Sequence, residues 1–214
     1  KIRKICEEKN IVLIFDECTS GFRENFGGIH KIFKVNPDLC MFSKALGNGY
    51  AISAVLGKKE YMNKVNNTFI SSTFWTERIG PTAALKTLEV MQKKKSWKII
   101  KKKGKYIKTK WKLIFDKYNI NVEISGIDAL PSFRFIDYDQ NYCKTFITQE
   151  MLRFNILATD TVYVSIKHTY KLIDKYLYYF ELVISQLKQF ELEKIISNKP
   201  FVKNLSFNGL KRMN

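Results

Sequence analysis

An apolar run, Ile11-Val12-Leu13-Ile14-Phe15, ends abruptly in two carboxylates, Asp16 and Glu17. Unbroken apolar stretches of this length, bounded by turn signals, fit a strand covered on both faces, as in parallel sheets. A second such run, Leu39-Cys40-Met41-Phe42, follows Pro37-Asp38 and delivers Ser43-Lys44 just before Gly47-Asn48-Gly49. Ligands of open α/β sheets bind beyond the carboxyl ends of strands. A carboxylate and an amine emerging there suit carbonyl or imine chemistry.

The rest of the chain reads as alternating elements. A helix is expected over residues 1–9, with Cys6 and Ile2 or Ile5 facing inward. The first strand spans 11–15, and an irregular loop with three glycines spans 18–36. Strands follow at 39–42 and 51–56, then a short helix at 58–65. Residues 66–72 read as a loop into a strand, and 73–78 as a further loop. Pro81 suits the first turn of a helix, where its missing N–H would be unpaired anyway; that helix runs through Ala84, Leu85, Leu88 and Met91. Beyond it, Trp97, Ile100, Ile107, Trp111, Ile114 and Tyr118 recur at helical steps, with Gly104 the only gap. Strands at 120–124 and 132–138, a helix at 145–154, a strand at 162–166 and a long helix capped by Thr169 complete a smaller α+β region.

Charge is concentrated in one place. The formal net charge is +17, and Lys93 to Lys112 holds eleven lysines and no acid. Basic charge can meet nucleic acid or an anionic surface. Nucleic-acid sites display their aromatics, however, whereas here Trp97 and Trp111 share the apolar face. A solvated helix face is the simpler reading, and nucleic acid is disfavoured. Four scattered cysteines and two histidines (His30, His168) offer no zinc spacing, and a reducing cytoplasm is the simplest setting. No apolar stretch approaches the length of a membrane span.

Several ordered motifs now bear together. Leu13-Ile14-Phe15-Asp16-Glu17, Thr19-x-Gly21-Phe22-Arg23, Pro37-Asp38-Leu39, Ser43-Lys44-Ala45-Leu46-Gly47-x-Gly49 and Ser71-Ser72-Thr73-Phe74-Trp75-Thr76-Glu77-Arg78 resemble the class III pyridoxal-phosphate aminotransferases. The glutamate-1-semialdehyde aminomutase-like branch is the most similar. The resemblance implies an α/β protein of the fold-type I transferase class. Residues 1–95 would be the C-terminal portion of the large cofactor-binding domain, 96–118 a connecting basic helix, and 119–214 a small C-terminal domain. Because the first strand should be central and lacks preceding neighbours, the chain reads as the C-terminal half of a longer protein, inactive alone.

The resemblance also implies roles. The lysine matching Lys44 forms a Schiff base with pyridoxal 5'-phosphate and then moves the substrate proton. Burial would favour the free amine for both jobs. The carboxylate matching Asp16 contacts the pyridine nitrogen. Cys18 stands where the family commonly places Val against the ring, and Thr73 matches a threonine that reaches the phosphate of the neighbouring subunit. The implied protein is a cytoplasmic homodimer moving an amino group from a small donor to a carbonyl acceptor, or within one substrate. Ser72 and the Phe74–Arg78 run depart from the aminomutases proper, so transaminase and mutase stay open. A magnesium-holding strand of a P-loop ATPase also ends in Asp-Glu, but no G-x-x-x-x-G-K-[ST] is present and Ala45 stands where that loop needs Ser or Thr. A cofactor-free remnant binding an anionic partner is the other alternative. Arg23 and Arg134 could meet a substrate carboxylate or make salt bridges, and His168 reads as structural.

Overall fold

β1 (Ile14–Asp16) pairs in parallel with β2 (Leu39–Phe42), and β2 pairs antiparallel with β3 (Ala54–Gly57). The computed structural model describes residues 1–70 and 72–192. The expected burial of the first strand does not hold: Ile11, Val12 and Ile14 are exposed. The cause is position. β1 lies at the edge of the described sheet, so its apolar run lacks the second neighbour and the cover that a parallel strand needs. β2 is central, matches its expected span, and buries Cys40 and Phe42. With Leu46 and Ala84 they form a small core, against which Phe15, Phe22 and Leu88 pack.

Asp38 fastens the entry to this sheet. Its side chain is only 1% exposed; it accepts the N–H of Leu13 at 2.8 Å and pairs with Lys58 at 2.7 Å and Arg3 at 2.9 Å. Arg3 belongs to α1 (Ile2–Glu8), which turns Cys6 inward as expected but leaves both Ile2 and Ile5 exposed, since no described residue covers that face. The loop after β1 contains an unanticipated turn of helix, α2 (His30–Phe33). After β3, α3 (Lys59–Met62) passes into a 3-10 turn at Asn63–Asn67. The strand expected near 66–72 does not form among the described residues, and Ser71 lies outside them. α4 (Ile79–Lys94) carries Pro81 in its first turn, and Glu77 accepts the N–H groups of Ile79 and Gly80 there.

The chain divides into two compact units, Lys1–Ile99 and the residues from Ile100 on. In the second, α5 (Ser96–Lys117) buries Ile100, Ile107, Trp111, Ile114 and Phe115. The helical apolar face is thus real; Trp111 and Phe115 are buried, and Trp97 and Tyr118 are half-buried. Gly104 marks a close approach: a Cβ there would run into the carbonyl oxygen of Asp128. β4 (Val122–Ser125) and β5 (Ser132–Phe135) pair antiparallel, with Phe133 and Phe135 inward. Arg134 lies opposite Glu123 and pairs with it at 3.0 Å, which is the salt-bridge reading of that arginine. α6 (Gln140–Leu152) begins earlier than expected because Asp139 caps it, accepting the N–H of Tyr142 at 2.9 Å.

The strand expected at 162–166 is absent. The segment makes one isolated bridge, Ser132 to Thr161, and its Val162 and Val164 N–H groups donate to the carbonyls of Pro131 and Ala129. Irregular partners satisfy this backbone, so no ladder extends. α7 (Tyr170–Leu192) starts where Thr169 accepts the N–H of Leu172, and it buries Ile173, Leu177, Phe180, Ile184 and Leu187. His168 accepts the Ser165 N–H at 3.3 Å in the turn before it.

Candidate active site

Parallel pairing places the carboxyl ends of β1 and β2 side by side, about 4.8 Å apart. Asp16 closes β1. Its Oδ1 accepts the Cys18 N–H at 2.9 Å, a local turn that fixes the carboxylate while leaving it exposed. That N–H, then the Cys18 thiol, and the nearby Lys44 charge hold the Asp16 carboxyl below the usual carboxylate range. The same contact works oppositely on the thiol: bonding to Asp16, with some burial, raises Cys18 and keeps it protonated.

Lys44 follows two residues after β2, at φ +42, a left-handed conformation uncommon for a residue with a side chain. The Asn48 N–H closes the turn onto the Lys44 carbonyl at 3.0 Å. Lys44 Nζ donates to Thr19 Oγ1 at 2.6 Å, drawing the amine onto the loop that leaves Asp16. The expected burial of this lysine is not found; it is exposed, because no described residue covers the strand ends. Of the two glycines beyond it, Gly47 serves the chain itself, since a Cβ there would strike the Tyr50 carbonyl oxygen. Gly49, at φ +110 with nothing within 4 Å, is where an incoming group could approach the backbone.

The structure therefore joins Asp16, Cys18 and Lys44. Thr73 sits in an exposed turn, and no hydrogen bond among the described residues ties it to the other three. In that turn Ser72 Oγ, rather than Thr73, accepts a backbone N–H, that of Phe74 at 3.2 Å.

A second polar cluster lies beneath. Glu17, 1% exposed, accepts Ser20 Oγ at 2.5 Å through Oε2 and the His30 N–H at 3.0 Å through Oε1. Burial alone would push its carboxyl up, but the Ser20 hydroxyl and the Ile29 and His30 N–H groups outweigh that and hold it down. His30 Nδ1 lies 3.1 Å from Glu17 Oε1 and 3.7 Å from Cys40 Sγ. Burial, with the Glu17 charge, raises the Cys40 thiol to about 11. Sequence reading passed over this cluster, although strand alternation sends neighbours to opposite faces and so separates Glu17 from Asp16.

The chain resembles known proteins in sequence and in fold. The sequence model for "Aminotransferase class-III" matches residues 1–164. The chain is 33% identical to the 3-aminobutyryl-CoA aminotransferase of Cloacimonas acidaminovorans (strain Evry), over 72% of this chain and 38% of that protein. It is 30% identical to the glutamate-1-semialdehyde 2,1-aminomutase of Methanosphaera stadtmanae, over 87% of this chain and 48% of the relative. The chain thus spans about half, or less, of the length of these relatives. Among solved structures it resembles the PLP internal aldimine form of the FumI protein of Sphingopyxis sp. MTA144. The TM-score is 0.81 at 21% identity, covering 89% of this chain and 46% of that one. A transaminase with PLP bound gives a TM-score of 0.80 at 17% identity, covering 87% and 47%. Among the described residues no helix is long and apolar enough to cross a membrane.

Proposed function

The chain belongs to the class-III aminotransferase family and has the fold of the pyridoxal-phosphate transaminases, and from that premise we propose that it supplies the amine and the ring-nitrogen partner of an amino-group-transferring enzyme. The P-loop ATPase alternative falls with the family. The observation that carries the proposal is the junction of Asp16 and Lys44 at adjacent parallel strand ends, with Lys44 Nζ held by Thr19 in the loop that Asp16 begins.

These residues fit pyridoxal 5'-phosphate. An ionised, exposed carboxylate suits a protonated pyridine nitrogen, and an exposed amine suits an aldehyde. When bound, the cofactor supplies an electron sink for the substrate carbon that loses its proton. Asp16, which the Cys18 N–H keeps ionised, would pair with the protonated ring nitrogen. Lys44 is the nucleophile toward the carbonyl carbon and the base that carries the substrate proton. Cys18, kept as a thiol, offers a small apolar contact to the ring. Thr73, exposed in its turn, is assigned to the phosphate of a neighbouring subunit, which makes the working protein a homodimer. A small amino donor and a carbonyl acceptor are its substrates, or one molecule serves as both. Four free thiols support a reducing cytoplasm.

The test is borohydride trapping in the complete protein, followed by peptide mapping. The pyridoxyl label is expected on Lys44, and Lys44→Ala should lose both label and amino transfer. A label on another lysine would sink the assignment. A protein that takes up no cofactor would support the remnant alternative.

A further inference from the structure

We propose that Glu17, His30 and Cys40 form a binding site for one divalent cation of the zinc class, separate from the residues assigned to amino transfer. One carboxylate oxygen, one imidazole nitrogen and one thiol sulfur converge here, and these atoms all lie within 4.8 Å of one another. Tetrahedral zinc, with bonds of about 2.0–2.3 Å, places its ligand atoms about 3.3–3.7 Å apart. The separations of 3.1 Å (Nδ1 to Oε1) and 3.7 Å (Nδ1 to Sγ) lie within a few tenths of an ångström of this range, while the Glu17 and Cys40 ligand atoms, within 4.8 Å of each other, must draw closer on binding.

Hydrogen-bond accounting points the same way. Nδ1 carries either one proton or one lone pair. If protonated, it donates to Glu17, and the Cys40 thiol finds no acceptor at that nitrogen. If unprotonated, it can accept from the thiol but faces a carboxylate oxygen at 3.1 Å, lone pair against lone pair. One cation satisfies all three atoms together. On binding, the thiol S–H bond breaks, its proton passes to solvent, and a metal–sulfur bond forms.

The surroundings are built for such a centre. Ser20 bonds the far oxygen of the Glu17 carboxylate and the His30 N–H bonds Oε1, so the group is fixed as supporting bonds fix metal ligands. Gly28 makes room: a Cβ there would strike the His30 ring and approach Glu17 Oε1 at 2.7 Å. His30 and Cys40 also line a cavity of about 550 Å³ with Phe22, Leu39, Leu56 and Leu88, which leaves a fourth position open to water. A mixed nitrogen, oxygen and sulfur set suits zinc or cobalt, whereas calcium and magnesium require oxygen ligands.

The experiment is cobalt titration of the chelator-treated chain without pyridoxal phosphate, followed by zinc. One Co²⁺ per chain is expected, with tetrahedral visible bands and a near-ultraviolet sulfur-to-cobalt band, both removed by one equivalent of Zn²⁺. Cys40→Ser should abolish the sulfur band, and His30→Gln should weaken Co²⁺ binding by at least about tenfold, as loss of even a supporting residue does. Cys18→Ser and Cys143→Ser should change neither. Circular dichroism checks that each variant folds, and His30→Gln carries the test if Cys40→Ser does not. Sub-stoichiometric binding, an octahedral spectrum, or a sulfur band that survives Cys40→Ser would overturn the site. None of these outcomes bears on Lys44 or Asp16, so this proposal and the amino-transfer reading fail independently.

Discussion

Three carboxylates near the first strand pair take three different surroundings. Asp16 stays exposed against the Cys18 N–H, Glu17 is buried among Ser20 and His30, and Asp38 is buried between Arg3 and Lys58. The place of Asp16 and Lys44 at the ends of β1 and β2 was legible because it follows from apolar runs, which are local information. The tasks of Glu17 and Asp38 were not, since His30 stands 13 residues from Glu17, and Asp38 draws its partners from Leu13, 25 residues away, and from Arg3 and Lys58 on either side. Asp38 yields a prediction. The Leu13 N–H, then Lys58 and Arg3, hold its carboxyl far below the unfolded value of about 4. A depressed carboxyl contributes stability that is present above its unfolded pKa and is lost as pH falls through the folded one. Asp38→Asn should therefore cost about 3 kcal/mol at pH 7, the lower end for a broken buried pair because Lys58 is half-exposed. Denaturant unfolding of both proteins should show this gap narrowing below about pH 4. A gap unchanged from pH 7 to pH 3 would mean that the Asp38 charge is not responsible.

At the level of elements, α5 and α7 were readable from periodicity because a single covered face dictates their spacing. β1 and the 162–166 segment were misread for one reason: an apolar run reports burial potential, while neighbouring chain decides whether a strand is covered or even forms. Periodicity also cannot say why a face is interrupted. Gly104 looked like a gap in the α5 stripe and is instead the point where the Asp128 backbone touches the helix. Next to it, Lys103 departs from the solvated face; it is buried and donates to the Ile166 carbonyl at 2.8 Å, and burial lowers its pKa. Gly104→Ala should then destabilise the second unit. Alanine favours a helix by about 1 kcal/mol, but a clash with a backbone oxygen costs about 1–3 kcal/mol and cannot be relieved by a rotamer change. A lower melting temperature is expected, with Lys102→Ala on the exposed face within about 0.5 kcal/mol of the parent. A stabilised Gly104→Ala would show that the helix does not sit this close to Asp128.

Across the whole molecule, the sequence carried the fold class and most of the elements but not which faces of the first unit are covered. Ile2, Ile5, Ile11, Val12 and Ile14 are all exposed, and β1 offers an unpaired edge within the described sheet. Such surfaces favour association. Asp16 and Lys44 are likewise exposed, each held from one side, and no described hydrogen bond brings Thr73 to them. Positioning is what a transferase must provide. Correctly held groups can act at effective molarities of about 10⁵–10⁸ M, and that advantage disappears when a bound ring can tumble. Residues 1–214 expressed alone should therefore take up pyridoxal phosphate only weakly, as free amines do, and transfer no amino group. Cofactor titration by absorbance, beside an amino-transfer assay with several donors and keto acids, measures both halves of this expectation. Tight one-to-one binding with turnover would show that these residues already position the ring, and would assign the whole catalytic apparatus to the chain as it stands.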